Sequence, residues 1–552
     1  MRPAIASQWE PTYSEATPHA PADAVTVTET PVPGQPRETS APAMEHPRTR
    51  STGGLIVLVV FLAVALGIRL DGIGNPPFEN AVARQFHAAL LARIYYLGDS
   101  PKVNARDRQV LEAWRAEEQP IEPPLMELLA AGAYHVVGHE ALSIPRTLSA
   151  LWWTFGGLLL FIIARRFQRV PAALAAAAIY LLLPFAIVAS RSFQPDPLLV
   201  LTMLAAVLAI IRWDESPTSL RLATATAASS LAFFVKPGIA VPIVGATFVV
   251  FSMRQFGFRR KLLSSALAPY SLSILPMLGW YMYGSLAHTY LHGQFSDKVS
   301  PSLLFDSSYW NGWWDQVQFV LTYPIDSPLL TAVILVMSAL GIVVARAPGR
   351  TLLAGLWIGY ALYGFVFTFH ISTHNYYSLP LVPIVALSLA SLVDLVHSRI
   401  GVRDIHALLV IAVAGLVAST GIAWKLHPKL ADNFRSERLV YEQSGRAADH
   451  TARALYVDTH YGEPARYYGW TAGTLLTSGW ETDPDGLATR TLAEALRRNP
   501  PPSCVILIGR PLRARLSHFE ARVASRAAVV EKKTNYAVFD LDRKPGQRSN
   551  GC

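Results

Sequence analysis

Charge is almost missing from a succession of apolar runs between residues 54 and 424, and it returns to ordinary density on either side. Runs of about 20 apolar residues match the hydrocarbon thickness of a bilayer, where a chain must satisfy its backbone polar groups internally. Of the 552 residues, 51% are hydrophobic and only 16% charged; a soluble domain carries about a quarter. The runs fall near 52–69, 146–164, 171–189, 197–212, 221–235, 238–253, 262–283, 328–345, 351–369, 376–396 and 406–424. They predict an α-helical polytopic membrane protein with about 11 transmembrane helices. The halves 221–235 and 238–253 are short and flank Lys236-Pro237-Gly238, so they fit either two spans or one broken re-entrant element.

The loops carry a consistent bias. With the N-terminus inside, the short inner loops hold Arg165, Arg166 and Arg169, then Arg212 and Arg221, then Arg254, Arg259, Arg260 and Lys261, then Arg346 and Arg350, then Arg399 and Arg403. The short outer loops hold only Arg191 and Lys236. This is the positive-inside pattern, and it accounts for much of the net charge of +9 without a nucleic-acid partner. No basic stripe is interleaved with stacking aromatics.

Three regions follow. Residues 1–50, rich in Pro, Thr, Ala and Glu, read as a disordered cytoplasmic tail with no cleavable signal peptide. Residues 51–427 form the transmembrane domain, with a large first exterior loop at 69–141. In that loop, Phe78 to Tyr96 has helical apolar spacing and is expected to lie on the membrane surface, and Pro123 to Val137 is a second such helix. The aromatic cluster Tyr309 to Trp314 suits a membrane interface. Residues 428–552 are polar enough for a small exterior α/β domain, with strands at Ala454–Val457, Cys504–Ile508 and Tyr536–Phe539 and a helix at Leu512–Ala527. Cys552 ends a polar tail, which argues against a bridge to Cys504, and no Cys/His cluster suggests zinc.

Ionisable groups at span ends need a reason. Asp71 follows the first span, where a solvated carboxylate or a partner for Arg69 is the plain explanation. Glu79 and Glu122 stand at helix starts, where an acid favours the dipole. Arg191 and Asp196 flank one short turn; they suit either a phosphate or each other. Lys236 snorkels or contacts a lipid phosphate. His370, His374, Asn375, Tyr376 and Tyr377 share one span junction. Each alone is more readily structural, but the topology puts all of them on one side, beside the largest loop. One exterior cavity would then hold carboxylates, cations and imidazoles. Sugar transfer from a phosphate carrier needs a base near the acceptor hydroxyl and positive charge on the departing phosphate.

Four stretches resemble the GT-C superfamily of polytopic glycosyltransferases, in the branch of protein O-mannosyltransferases and lipid A aminoarabinose transferases. They are Arg69-Leu70-Asp71 through Pro76-Pro77-Phe78-Glu79 and Arg84 to Ala92-Arg93-Ile94-Tyr95-Tyr96; Glu122-Pro123-Pro124-Leu125 with Gly138 and Pro145-Arg146; Ser190-Arg191 with Pro195-Asp196; and His374-Asn375-Tyr376-Tyr377 with Leu379-Pro380-Leu381 and Pro383. The resemblance implies a GT-C-like fold and an inverting transfer from a polyprenyl-phosphate sugar. The acceptor would be a lipid, glycan or protein outside the cytoplasmic membrane. A first-loop carboxylate would be the base, Glu79 before Asp71; the acidic pair usual in the family is replaced by Phe78-Glu79-Asn80. Arg191, Lys236 and His374 are the phosphate-side candidates. Arg84, Glu122, Asp196, His370, Asn375 and Tyr376 are the substrate-binding ones. Some relatives need a divalent cation and others do not; Glu79 and Glu122 would be its ligands here. The competing readings are a secondary transporter, which predicts two related halves not seen in the sequence, and a non-catalytic scaffold for the C-terminal domain.

Overall fold

The computed structural model describes residues 52–98, 100–101, 103–258, 260–287 and 299–552. The tail expected at 1–50 lies outside them. Each apolar run coincides with a helix or a helix pair. Seven helices among the described residues are long and apolar enough to cross a membrane. An eighth span arises if α6 (Val170–Leu182) and α7 (Pro184–Ser190) are taken as one broken element, bent by 60°. Pro184 opens α7, where its ring ends the preceding helix. Shorter apolar helices occupy Leu125–Val137, Ser219–Val235 and Pro328–Val344.

The helices around the site are α1 (Thr52–Leu70), α5 (Ser143–Ala164), α8 (Asp196–Glu215), α9 (Ser219–Val235) and α10 (Pro237–Phe256). Lys236 sits at the break between α9 and α10, held by the proline that follows it. The helix Gly349–Val366 lies directly against α10: at Gly355 and Gly359 a Cβ would collide with the backbone of Thr247 and Ile243. Small residues allow such close approach between apolar helices. This contact brings Tyr363 to the start of α10.

The first loop contains α2 (Val82–Leu97), α3 (Ala105–Glu117) and α4 (Leu125–Val137). The expected surface helix begins at Val82 rather than Phe78, so Glu79 lies in the irregular turn before it. It does not lie on a membrane surface either. Phe86, Leu90 and Ile94 are buried in a cluster with Met126, Tyr134 and the C-terminal residues Tyr467 and Ala472. An apolar stripe announces that a helix face is covered, and here protein covers it. The second helix keeps an open apolar face at Leu128, Leu129, Val136 and Val137.

The C-terminal region folds around a five-stranded sheet in the order β2-β1-β3-β5-β4. Its strands are β1 (Ala454–Val457), β2 (Gly473–Thr477), β3 (Cys504–Ile508), β4 (Ala528–Lys532) and β5 (Tyr536–Asp540). Strands β2, β1 and β3 are parallel, and β5 and β4 are antiparallel additions. The three predicted strands are the fully buried ones; the two edges, β2 and β4, are less apolar and were not predicted. The helix expected over Leu512–Ala527 is two, Arg510–Arg515 and Ser517–Ala524. Contrary to expectation, Cys504 and Cys552 form a disulfide, with Cα atoms 5.6 Å apart. The polar tail turns back on the sheet: Ser549 Oγ donates to Asp540 Oδ2 at 2.6 Å, which returns Cys552 to β3.

Candidate active site

The Pro76–Ala81 turn, the start of α5 and the Ser190–Asp196 turn meet at one end of the bundle. Arg146, near the start of α5, is fully buried and ion-pairs with Glu79 Oε1. Its Nη1 donates to both Ile73 O at 2.9 Å and Asn75 O at 2.6 Å, which fixes the turn that carries Glu79. Arg191 is also fully buried, and its Nε is 3.7 Å from the same Glu79 Oε1. None of its three guanidinium nitrogens has a hydrogen-bond partner among the described residues. Gln194, three residues on, is fully buried too, with both side-chain polar atoms unpartnered. Burial, and then the nearby Arg146, lower the Arg191 pKa to about 10, so it stays cationic at neutral pH. Native interiors seldom leave such groups orphaned.

The turn is pinned to the first loop. Gln85 Oε1 accepts from Phe193 N at 2.8 Å, Gln85 Nε2 donates to Asn80 O at 2.6 Å, and Asn80 Nδ2 donates to Ser192 Oγ at 3.1 Å. Two further ion pairs stand beside it. Arg84 meets Glu122 at 2.6 Å, and Lys236 meets Asp196 at 2.9 Å. Arg84 and Glu122 both act electrostatically on Asp196, so the pairs share one environment. Lys236 Nζ also lies 4.4 Å from the Tyr377 ring centroid and 5.4 Å from that of Tyr376, a cation–π arrangement.

A small cavity opens over these groups, lined by Glu122, Lys236, Tyr281, Tyr363, Phe367, His370 and Tyr377 among others. His370 meets the Tyr377 ring at 4.7 Å, and His374 meets the Tyr376 ring at 5.5 Å. Burial, with Lys236 and Arg84, lowers the His374 pKa, so its imidazole is neutral at pH 7. Asn375 opens the short helical turn Asn375–Ser378 that presents the tyrosines.

The predicted residues thus fall into two adjoining groups, Glu79 with Arg191, and Arg84, Glu122, Asp196, Lys236, His370, His374, Asn375 and Tyr376. Asp71 stands apart from Arg69, its expected partner, and pairs with His427 at 2.7 Å. Arg69 is buried and donates to Ser190 Oγ at 2.7 Å. The two carboxylates considered as metal ligands each face an arginine, Glu79 with Arg146 and Glu122 with Arg84. Sequence reasoning quoted Arg146 within a family-like stretch but gave it no role, and it missed Gln85 and Gln194. A charged residue at the head of an apolar run was the signal for Arg146; nothing marked the two glutamines.

The C-terminal domain closes on the first loop. Phe78 stacks on Tyr441 at 5.8 Å. Arg93 pairs with Glu140 at 3.0 Å and donates to Tyr467 O at 2.7 Å. His87, Glu118 and Glu463 form the one His/acid group of metal-ligating size among the described residues. Arg466 already supplies a cation there, 3.1 Å from Glu118 and 3.4 Å from Glu463.

A multi-pass helical bundle with a charged cleft at one end, a helical first loop and a small α/β domain beside it has the GT-C-like fold that the four stretches implied. Residues 121–280 match the family "Dolichyl-phosphate-mannose-protein mannosyltransferase". No curated protein matches the sequence. Among solved structures, the chain is similar to ArnT from Cupriavidus metallidurans bound to undecaprenyl phosphate. There the identity is 14% and the TM-score 0.57, over 89% of this chain and 98% of that one. The apo state of the same protein gives 15%, with the same TM-score and coverage. The apo oligosaccharyltransferase of Archaeoglobus fulgidus gives 12% and 0.51, over 86% of this chain and 73% of that one.

Proposed function

We propose that this protein is a membrane glycosyltransferase. It moves a sugar from a polyprenyl-phosphate donor to an acceptor hydroxyl on the outer face of the cytoplasmic membrane, with inversion. The observation that carries this reading is Arg191: a fully buried guanidinium, without hydrogen-bond partners among the described residues, next to a carboxylate. A buried cation in that state is matched to an anion that arrives with the substrate. A phosphate supplies the oxygens it lacks.

Both arginine contacts to Glu79 fall on Oε1, which leaves Oε2 outside those pairings. Oε2 takes the proton from the acceptor hydroxyl as its oxygen attacks the anomeric carbon. The bond from that carbon to the phosphate oxygen breaks, and the polyprenyl phosphate leaves with the electron pair. Arg191 and Lys236 stabilise the charge that develops on it. Arg84, Glu122, Asp196, His370, Asn375 and Tyr376 line the sugar's path, with His374 on the phosphate side. Asp71, tied to His427, is the second candidate for the base.

An apolar groove lined by Trp310, Trp313, Trp314, Leu335, Trp357 and Tyr360 supports a lipid-tailed donor. Tyr360 lies 6.4 Å from Tyr363, which lines the charged cavity. The disulfide in the C-terminal domain and the arginine bias of the opposite loops support an extracytoplasmic site and a cytoplasmic N-terminus.

The test is incubation of the purified protein with a panel of polyprenyl-phosphate sugars. One donor should release free polyprenyl phosphate, and release should fall away in Glu79→Gln. A folded protein that turns over no donor in the panel overturns the reading.

A further inference from the structure

The carboxyl ends of β1, β2 and β3 carry loops that the chemistry above does not use. The chain leaves β1 for the neighbour on one side, β2, and then crosses to the other side, β3. Such a switch point is where parallel sheets place their ligands. Two aromatic side chains border the loop that leaves β1. Trp480, just past β2, is 72% exposed, yet its Nε1 donates to Thr459 O at 3.3 Å, which fixes the ring. Tyr461 is 51% exposed and sits at φ 60°, a left-handed backbone that a tyrosine rarely adopts. The loop is held from beneath by buried Asp458, which accepts from Tyr441 Oη at 3.1 Å and from Gly462 N at 3.2 Å. It also reaches the first loop: the His460 ring lies 6.1 Å from that of Phe78, which precedes Glu79 in the chain.

We propose that Trp480 and Tyr461 form an acceptor subsite that stacks the sugar rings of a glycan and guides its free hydroxyl toward Glu79. This rests on the glycosyltransferase reading and narrows its acceptor to a glycan. A pyranose presents an apolar C–H face to an aromatic ring and its hydroxyls to a polar rim, here His460 and Glu481. Aromatics also settle at membrane interfaces. The rim argues against that occupant, because a charged Glu481 would resist burial in lipid.

The experiment uses the full-length protein in lipid nanodiscs, with maltotriose, mannotriose and arabinotriose as probes and saturation-transfer NMR as readout. At least one trisaccharide should bind. Trp480→Ala should weaken it about tenfold or more, and Trp480→Phe by no more than about threefold. The ring is exposed, so both variants should keep the wild-type Tm. Equal binding by Trp480→Ala overturns the subsite. So does quenching by brominated lipids that disappears in Trp480→Phe, which assigns the ring to the membrane surface. Donor turnover by the wild type without trisaccharide binding overturns the subsite alone, whereas absence of donor turnover overturns the transferase reading.

Discussion

The end of the bundle that carries Arg166, Glu215, Arg254 and Asp214 uses the same residue types as the end that carries Glu79, Arg191, Asp196 and Lys236. The settings differ. Arg166 and Glu215 meet at 2.6 Å with side chains 22% and 34% exposed, close to solvent. Lys236 and Asp196 meet at 2.9 Å with 5% and 1% exposed. At the Arg166–Glu215 pair water screens the charge, although Asp214 at the same end is buried against Arg254. At the second end, each ion depends on a protein partner or lacks one, and that dependence is what a reaction can exploit.

The strongest attack on this contrast is at Glu79 and Arg191. Glu79→Gln should slow transfer about 10²–10⁴-fold, the usual contribution of a general base. Arg191→Ala should slow it about 10²–10³-fold, as for loss of a donor on a departing oxyanion. Initial rates of polyprenyl phosphate release measure both. Normal rates in Arg191→Ala would reduce the orphaned guanidinium to a packing feature.

The Lys236–Asp196 pair separates stability from chemistry. Lys236→Ala leaves a buried carboxylate unpaired and should cost about 3–5 kcal/mol, read as a fall in thermal stability. The double change Lys236→Met with Asp196→Leu should recover most of that stability but not the transfer rate. Recovery of both would make the pair purely structural.

A smaller effect is expected where the first loop meets the C-terminal domain. Burial, followed by the charge of Glu118, raises the Glu463 pKa to about 7. The folded state therefore favours its protonated form. That contribution is complete below the ordinary value of 4.5 and is lost as pH rises through about 7. Glu463→Gln should match the wild type at pH 5 and exceed its Tm at pH 8 by about 2–4 °C. A gain of equal size at both pH values would refute the buried titration. The smallest effect belongs to the solvated pair: Arg166→Ala should change stability by less than about 1 kcal/mol and leave transfer rates unchanged.

Much of the helical layout was readable because lipid imposes a simple rule: a long uncharged run becomes a helix. The three central strands were readable for a related reason, since Ala454–Val457, Cys504–Ile508 and the Tyr536 strand are apolar throughout. Edge strands β2 and β4 carry mixed patterns, and their pairing rests on neighbours distant in sequence. The cover over α2 was misread because amphipathicity cannot say whether lipid or Tyr467 lies on the apolar face. The disulfide was misread because only the fold brings residue 552 back to β3.

The amino-acid order by itself determined that this chain carries many membrane-length apolar helices, and it singled out acids, bases and imidazoles at the ends of those helices. Hydrophobic length and loop charge are local properties, so they survive without coordinates. Which cation is tied up and which is free was decided by tertiary structure alone. Arg146 and Arg191 are equally buried, but the backbone oxygens of Ile73 and Asn75 reach only the first. Hydrogen-bond satisfaction depends on ångström distances between segments more than 40 residues apart, and no sequence pattern carries that information.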